Sequence, residues 1–287
     1  MKNFMDNSRL WVFTLLAYGI SWACWLPIIM DIDGNLFQSS ASTLVLFFLG
    51  AYGPTIAAVV LTWYFDGRAG LAALMKKLIL WRVGLRWIAL ALLVGPGIYA
   101  LSTAIYSLLG GELGQINLGL LPWIPVVVVV SIVLGPLAEE LGWRGFALPC
   151  LDTKNHFVAS SILIGIIWAI WHAPLFWAET GTAVSGLPIT IFSVGLFLLA
   201  VIGSSFIYTW MFRHTSGSVL IAVILHLSMN ASGTTTAMLF PDIGTESKQT
   251  MYLVYVAVIW MLIFIAGAVR FCQKRVAEKR SLRAALD

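Results

Sequence analysis

The sequence predicts an all-α, polytopic membrane protein, a bundle of about eight transmembrane helices. Hydrophobic residues make up 60% of its 287 residues, 10% are charged, and the mean hydropathy is +0.92. Soluble globular proteins carry about 25% charged residues, so this class is excluded. The apolar residues also occur in runs of about 20, the length that crosses a bilayer as a helix.

Eight such runs follow one another along the chain, at residues 9–30, 42–65, 87–110, 121–147, 157–178, 187–212, 217–239 and 250–271. The first follows Lys2 and Arg9 as a signal peptide would, but it is too long and lacks a small-residue cleavage site, so we expect a retained span. The longest gap, 66–86, is too short for a soluble domain. The sequence therefore predicts a single integral membrane domain over residues 1–287.

The positive charges predict the orientation. When alternate gaps are assigned to one side, starting with the N-terminus, that side receives every Lys and Arg except Lys248. Short cytoplasmic loops collect positive charge, so both termini are expected in the cytoplasm. Acidic residues populate the opposite gaps: Asp31, Asp33, Glu112, Glu179, Asp242 and Glu246.

The tail at residues 270–287 continues the last helix with many Lys and Arg residues. We expect this basic cytoplasmic tail to contact anionic membrane lipids, although a helix that binds a specific partner remains an alternative. Nucleic-acid binding is not expected, because it needs a basic patch on a folded face.

The cysteines and two of the histidines indicate no chemistry. Cys24, Cys150 and Cys272 are far apart and form no CxxC pair, so free structural thiols are expected rather than disulfides or a thiolate metal site. His156 and His214 lie at the edges of loops, where we expect them to be interfacial and without a catalytic role.

The polar residues inside the predicted spans are few. An ionisable side chain in a span is costly and by default indicates function. The fourth span contains two carboxylates and an arginine in "GPLAEELGWRGFALP", the fifth contains one histidine, and the seventh contains a histidine and an asparagine. These residues are Glu139, Glu140, Arg144, His172, His226 and Asn230.

Helical spacing separates the two carboxylates. Residues four apart share a helix face, so Glu140 and Arg144 are expected to form a structural ion pair. Glu139 diverges from Glu140 by about 100° toward the side of Trp143. It has no partner on its own helix, which suits it to act as a general base or acid.

The remaining two spans contribute groups that hydrogen-bond. In "GIIWAIWHAPLFW", Pro174 is expected to kink the helix beside His172 and to open room for water. In "VILHLSMNAS", His226 and Asn230 share one face. Each has a structural alternative, a buried core histidine for His172 and an interhelical polar clamp for the pair on the seventh span. Together with Glu139 they form a set suited to catalysis.

These residues resemble the CAAX protease and bacteriocin-processing (CPBP, or Abi) family of intramembrane endopeptidases, which includes the CAAX prenyl endopeptidases. The EExxxR motif of the family appears in "EELGWRGF", its FxxxH motif with Trp168 in place of Phe before His172, and its HxxxN motif at His226 and Asn230. The motifs occur in the family's order, and the resemblance covers a protease core at roughly residues 120–235.

The resemblance implies a peptide hydrolase in which Glu139 and His172 activate a water while His226 and Asn230 stabilise the oxyanion. Trp143 and Trp168 are expected in the cavity wall. The family has been described both with and without a metal. Glu139, His172 and His226 could bind a divalent metal such as zinc, but the HExxH pairing of zinc proteases is absent, so we favour a site without one.

The expected substrate is a hydrophobic or lipid-modified peptide or protein, of which prenylated CAAX proteins are one class, and the expected location is the plasma membrane of a prokaryote. Two other functions stay open. A non-catalytic scaffold or bacteriocin-immunity protein would keep the fold without needing the polar set. A proton-coupled transporter would also use buried Glu and His, but the sequence lacks the internal repeat of such transporters.

The depths of Glu139 and His172 conflict in upright helices. At 1.5 Å per residue, Glu139 lies about 12 Å from the cytoplasmic end of its span and His172 about 22 Å from the start of the fifth. Either the fifth helix is tilted, or "LPCLDTKNHF" before it dips into the protein.

Overall fold

A computed structural model describes residues 8–29, 39–151, 156–178 and 187–284. Its main helices, in chain order, are α1 (Ser8–Trp25), α2 (Ala41–Ala51), α3 (Gly53–Leu78), α4 (Leu85–Leu108), α5 (Ile124–Leu134), α6 (Pro136–Glu140), α7 (Phe157–Trp171), α8 (Ile191–His214), α9 (Val219–Leu239) and α10 (Thr245–Ala284). No strand occurs in the described ranges. The all-helical, polytopic class predicted from the sequence is therefore confirmed.

Fewer helices than eight are long and apolar enough to cross a membrane. Within the described ranges five helical segments meet that condition, and a sixth is added if α2 and α3, bent by 51°, count as one span. The predicted spans at the positions of α1 and α7 do not meet it. For α7 the reason is length, because its 15 residues fall short of the roughly 20 that a span needs.

Several predicted boundaries shift for identifiable reasons. The second span was predicted to end at residue 65, but the helix continues to Leu78 across a kink at Gly67, whose φ is +64°. Glycine takes this positive φ without steric cost. The fifth span was predicted to reach residue 178, but α7 ends at Trp171 and a 3₁₀-helix, Ala173–Trp177, follows it. Pro174 cannot supply the N–H that the α-helix would need there.

Some predicted residues lie outside the described part of the chain: Lys2, Asp31, Asp33, Lys154 and Glu179. The backbone of the basic tail is described to Ala284, as a continuation of α10, in agreement with the predicted helical tail.

Helix α9 lies at the centre of the bundle. It contacts α3, α4, α5, α6 and α8. Against α4 the approach is so close that a Cβ on Gly95 would stand 2.2 Å from the backbone oxygen of Ser228. Only glycine permits that separation, so Gly95 fixes the helix that contains His226 and Asn230.

Polar contacts join α1 to α7. The indole of Trp171 donates to Ser21 Oγ over 2.7 Å, and the indole of Trp22 donates to the carbonyl of Trp171 over 3.0 Å. The hydroxyl of Tyr18 donates to the carbonyl of Ile167. Hydrogen bonds of this kind replace the hydrophobic driving force that is missing between helices in lipid, and here they hold the C-terminal half of α7 in place.

The chain before α7 is partly buried. Leu148 is fully buried and Leu151 is 5% exposed, whereas Pro149 and His156 are exposed. The predicted dip of this connection falls mainly on residues 152–155, which lie outside the described residues.

Candidate active site

The predicted fourth span is broken immediately before its carboxylates. α5 ends at Leu134, Gly135 has φ −127° and ψ −77°, and Pro136 begins the short helix α6. Proline suits a first helical position because its φ is fixed and its missing N–H would be unpaired there in any case. The sequence analysis predicted one continuous helix over 121–147. The Gly135–Pro136 pair explains the break, and such pairs are a recognised signal for one.

A π-helix, Leu141–Ala147, follows α6 directly. All seven of its residues are buried, and the carbonyl of Gly145 accepts a hydrogen bond of 2.9 Å from Lys77 Nζ of α3. π-Helices are rare and frequent at functional sites. The wider turn means that the ideal 100° per residue used for the sequence prediction does not apply beyond Glu140.

Glu140 joins two other side chains through a single oxygen. Arg144 Nη1 donates to Glu140 Oε1 over 2.9 Å, as the predicted spacing requires, and His226 Nδ1 lies 2.8 Å from the same oxygen. The side chains of Glu140 and Arg144 are 0% exposed. The link to His226 was not predicted, since it joins α6 to a helix 86 residues later in the chain.

The guanidinium of Arg144 lies between two aromatic rings. Its Cζ is 4.3 Å from the ring centroid of Trp168 and 3.9 Å from that of Tyr208. A cation over an aromatic face is stabilised by the ring quadrupole, most strongly when both are desolvated. Tyr208 was not singled out from the sequence, where it is one of many aromatic residues in an apolar span.

Glu139 accepts a hydrogen bond from a different helix. Trp168 Nε1 of α7 donates to Glu139 Oε2 over 2.6 Å, and Glu139 is 5% exposed. Trp168 therefore lies beside the carboxylate of Glu139. From the sequence, Trp168 was expected in the wall of the cavity. Trp143 has ring contacts with Phe13 at 5.4 Å and with Trp171 at 5.8 Å, so it packs against α1 and α7.

His172 lies immediately after α7. Its Nδ1 is 2.9 Å from the carbonyl of Trp168, and its ring contacts those of Trp171 and Phe197. Since a carbonyl can only accept, Nδ1 donates, and a neutral ring then has an unprotonated Nε2. In the described part of the chain, no hydrogen bond joins His172 to Glu139.

Three polar groups converge beside Gly135. A Cβ built on this glycine would stand 2.9 Å from Asn230 Nδ2, 3.4 Å from His226 Nε2 and 3.7 Å from Glu139 Oε1. Asn230 is exposed whereas His226 is buried, so the space opens on the side of Asn230. A carboxylate oxygen and two nitrogens thus lie within 4 Å of one point beside Gly135.

The protonation state of His226 decides which groups the three polar atoms beside Gly135 can bind. Because Nδ1 donates to the carboxylate of Glu140, Nε2 donates only when the ring carries both protons. In that form His226 Nε2 and Asn230 Nδ2 are two donors directed at one place, while Glu139 Oε1 accepts. This combination is suited to stabilise a developing oxyanion next to a general base.

The placed side chains do not fit a metal centre. Among the described residues, no group of three His, Cys, Asp or Glu side chains lies close enough to hold a metal ion. The hydrogen bonds of the candidates use Glu139 Oε2, His226 Nδ1 and His172 Nδ1, and such bonds also orient the ligands of metal sites, so it is the separation of the side chains that decides against a three-ligand cluster. The three-ligand set that zinc requires in catalytic sites is not formed by Glu139, His172 and His226.

Replacing Gly135 by Ala is expected to lower kcat about 10²-fold, the cost of losing one oxyanion donor. The new methyl group would occupy the space beside Asn230 Nδ2 and His226 Nε2. The exposed Asn230 side chain can move aside, so we expect the melting temperature to change little. Gly97→Ala is the matched control, because nothing lies within 4 Å of a Cβ there. Equal kcat values for the two variants would contradict the assignment.

Comparisons with known proteins find similarity in the part of the chain that contains the candidate site. Residues 121–232 match the family model of the type II CAAX prenyl endopeptidase Rce1-like proteins. A protein of Methanococcus maripaludis named CAAX prenyl protease 2 is 27% identical over 182 residues, which are 62% of this chain and 66% of that relative. The alignment thus spans slightly less than two thirds of the relative's length.

The matched segment extends from the turn before α5 into α9. It includes all the polar residues described above: Glu139, Glu140, Arg144, His172, His226 and Asn230. The resemblance predicted from the three motifs is confirmed, because residues 121–232, less than half of the chain, match the Rce1-like family model.

Proposed function

We propose that this protein is an intramembrane endopeptidase that hydrolyses a peptide bond in a hydrophobic or lipid-modified peptide or protein. The observation that carries the proposal is the convergence of Glu139 Oε1, His226 Nε2 and Asn230 Nδ2 beside Gly135. Peptide hydrolysis needs a base for the attacking water and donors for the oxyanion. These three atoms, all within 4 Å of one point beside Gly135, supply both.

In the proposed reaction, a water near Glu139 Oε1 attacks the scissile carbonyl carbon as Glu139 takes its proton. The carbonyl oxygen becomes an oxyanion that accepts hydrogen bonds from Nε2 of His226, in its doubly protonated form, and from Asn230 Nδ2. Glu139 then returns the proton to the leaving amine as the C–N bond breaks, which leaves the enzyme unchanged. We assign to His172 the orientation of the water or the substrate, through the Nε2 atom that its bond to Trp168 leaves available.

Glu140 orients His226 in this scheme. A carboxylate on Nδ1 fixes the rotation of the imidazole and directs Nε2 at the oxyanion, as the orienting carboxylate of a catalytic triad does for its histidine. This role adds to the structural pairing with Arg144 that the sequence predicted, and both depend on Glu140 Oε1.

The lipid-modified substrate class is supported by the family of the matched segment. The relative's name refers to a prenyl protease, and we extend this to prenylated CAAX-type substrates of this chain as part of the proposal. The basic gaps between the helices favour cytoplasmic termini and a site that opens toward the cytoplasm. We place the protein in the plasma membrane of a prokaryote.

A pair of peptides tests the substrate class. The purified protein in detergent is incubated with C-terminal peptides of one sequence, with and without a prenyl group, and new termini are identified by mass spectrometry. We expect a higher kcat/KM for the prenylated member. Equal values would contradict prenyl recognition while leaving the endopeptidase intact, and cleavage of neither peptide, across a panel of CAAX-type sequences, would contradict the proposed function.

A further inference from the structure

Trp168 contacts three of the residues assigned to the reaction, and also Arg144. Its indole N–H donates to Glu139, its ring lies 4.3 Å from the guanidinium of Arg144, and the ring centroids of Trp168 and His226 are 5.5 Å apart. Its backbone carbonyl accepts the hydrogen bond from His172. The Trp168 side chain is 6% exposed, so contacts with neighbouring side chains fix its position.

The bond to Glu139 distinguishes the two oxygens of that carboxylate. Oε2 accepts from Trp168 Nε1 over 2.6 Å, whereas Oε1 is the atom that faces the space beside Gly135. The last torsion of a Glu side chain is broad and nearly two-fold, so without a fixed donor the carboxylate rotates more freely. A hydrogen bond to a carboxylate is about twice as strong as one between neutral groups, and Trp can only donate.

We propose that Trp168 is a positioning residue, which binds Oε2 of Glu139 and so keeps Oε1 directed at the attacking water. This inference rests on the proposed endopeptidase function. The motif that the sequence resembles has Phe at this position, and Phe has no N–H group. Trp168 holds the base in place through a hydrogen bond that a phenylalanine at this position could not form.

Trp168→Phe removes the donor and keeps an aromatic ring for Arg144. Displacing a reacting group by about 1 Å can cost up to 10²-fold in rate, and we expect kcat to fall about 10- to 100-fold with little change in KM. Trp25→Phe is the matched control, since Trp25 is buried, lies outside the candidate site, and loses an indole hydrogen bond of 3.0 Å to the carbonyl of Phe47. It should lower the melting temperature and leave kcat unchanged.

Infrared spectroscopy supplies a readout that does not depend on cleavage. The carboxylate stretching band of Glu139 is identified, at a pH where it is ionised, as the band that Glu139→Gln removes. We expect this band to shift in Trp168→Phe and to stay in place in Trp25→Phe. A purely structural role for Trp168 would lower the melting temperature without moving the band.

The two readouts separate the failure of this inference from that of the proposed function. An unchanged band, or a kcat equal to that of the wild type, overturns the positioning role of Trp168. If the wild type cleaves no substrate while the band still shifts in Trp168→Phe, the hydrogen bond stands and the endopeptidase function is the part that fails.

Discussion

Glu139→Gln is expected to abolish cleavage almost completely, with kcat lowered about 10²- to 10⁴-fold, the usual contribution of a general acid–base. The amide has nearly the shape of the carboxylate, and its oxygen can still accept the hydrogen bond from Trp168. It cannot take a proton from water, so the loss falls on the chemical step. The kcat for cleavage of a peptide, measured for the purified variant beside the wild type, tests this expectation.

The fold should survive this change. The Glu140–Arg144 pair does not involve Glu139, so the melting temperature in detergent is expected to stay close to that of the wild type. Glu246→Gln is the control, because it makes the same chemical change at an exposed residue in the first turn of α10. A wild-type kcat in Glu139→Gln would exclude Glu139 as the base.

The second large effect is on stability. Glu140→Met or Arg144→Met is expected to cost about 3–5 kcal/mol of unfolding free energy, because each leaves an uncompensated buried charge. Both side chains are fully buried, and Arg144 already lacks hydrogen-bond partners for Nε and Nη2 among the described residues. Denaturation in detergent, followed by the loss of helical signal, measures the difference.

A double variant separates this cost from the chemistry. Replacing both partners of a buried ion pair by apolar residues is often neutral or stabilising, so Glu140→Met with Arg144→Met should regain much of the lost stability. It should remain inactive, because His226 then lacks the carboxylate that orients it. Asp66→Asn is the comparison: its pair with Arg9 is over 40% exposed on both sides, and such pairs contribute less than about 1 kcal/mol. Equal losses for Asp66→Asn and Glu140→Met would contradict the argument.

Local spacing predicted part of the site. The approach of Arg144 to Glu140 follows from a separation of four residues on one helix, and the structure contains this contact. The common face of His226 and Asn230 follows in the same way, and both approach Gly135. Such relations need no knowledge of how the helices pack.

Contacts between helices could not be predicted. The bond from His226 to Glu140 depends on the position of α9, which close approach at Gly95 helps to fix. The bond from Trp168 to Glu139 depends on how deep α7 begins, which the sequence left open between a tilt and a buried connection. The sequence predicted a kink at Pro174, but not that the α-helix ends three residues before it, at Trp171.

Arg144 and His226 both hydrogen-bond to one oxygen atom, Glu140 Oε1. Selection for folding and selection for activity should therefore retain different residues in a library of variants. A library screened only for expression should retain Glu140 and Arg144 and tolerate changes at Glu139 and Asn230. A library screened for cleavage should retain all four. A natural chain that keeps Glu140 and Arg144 but has lost Glu139 and Asn230 would then be a folded pseudoenzyme. Its sequence alone would identify it.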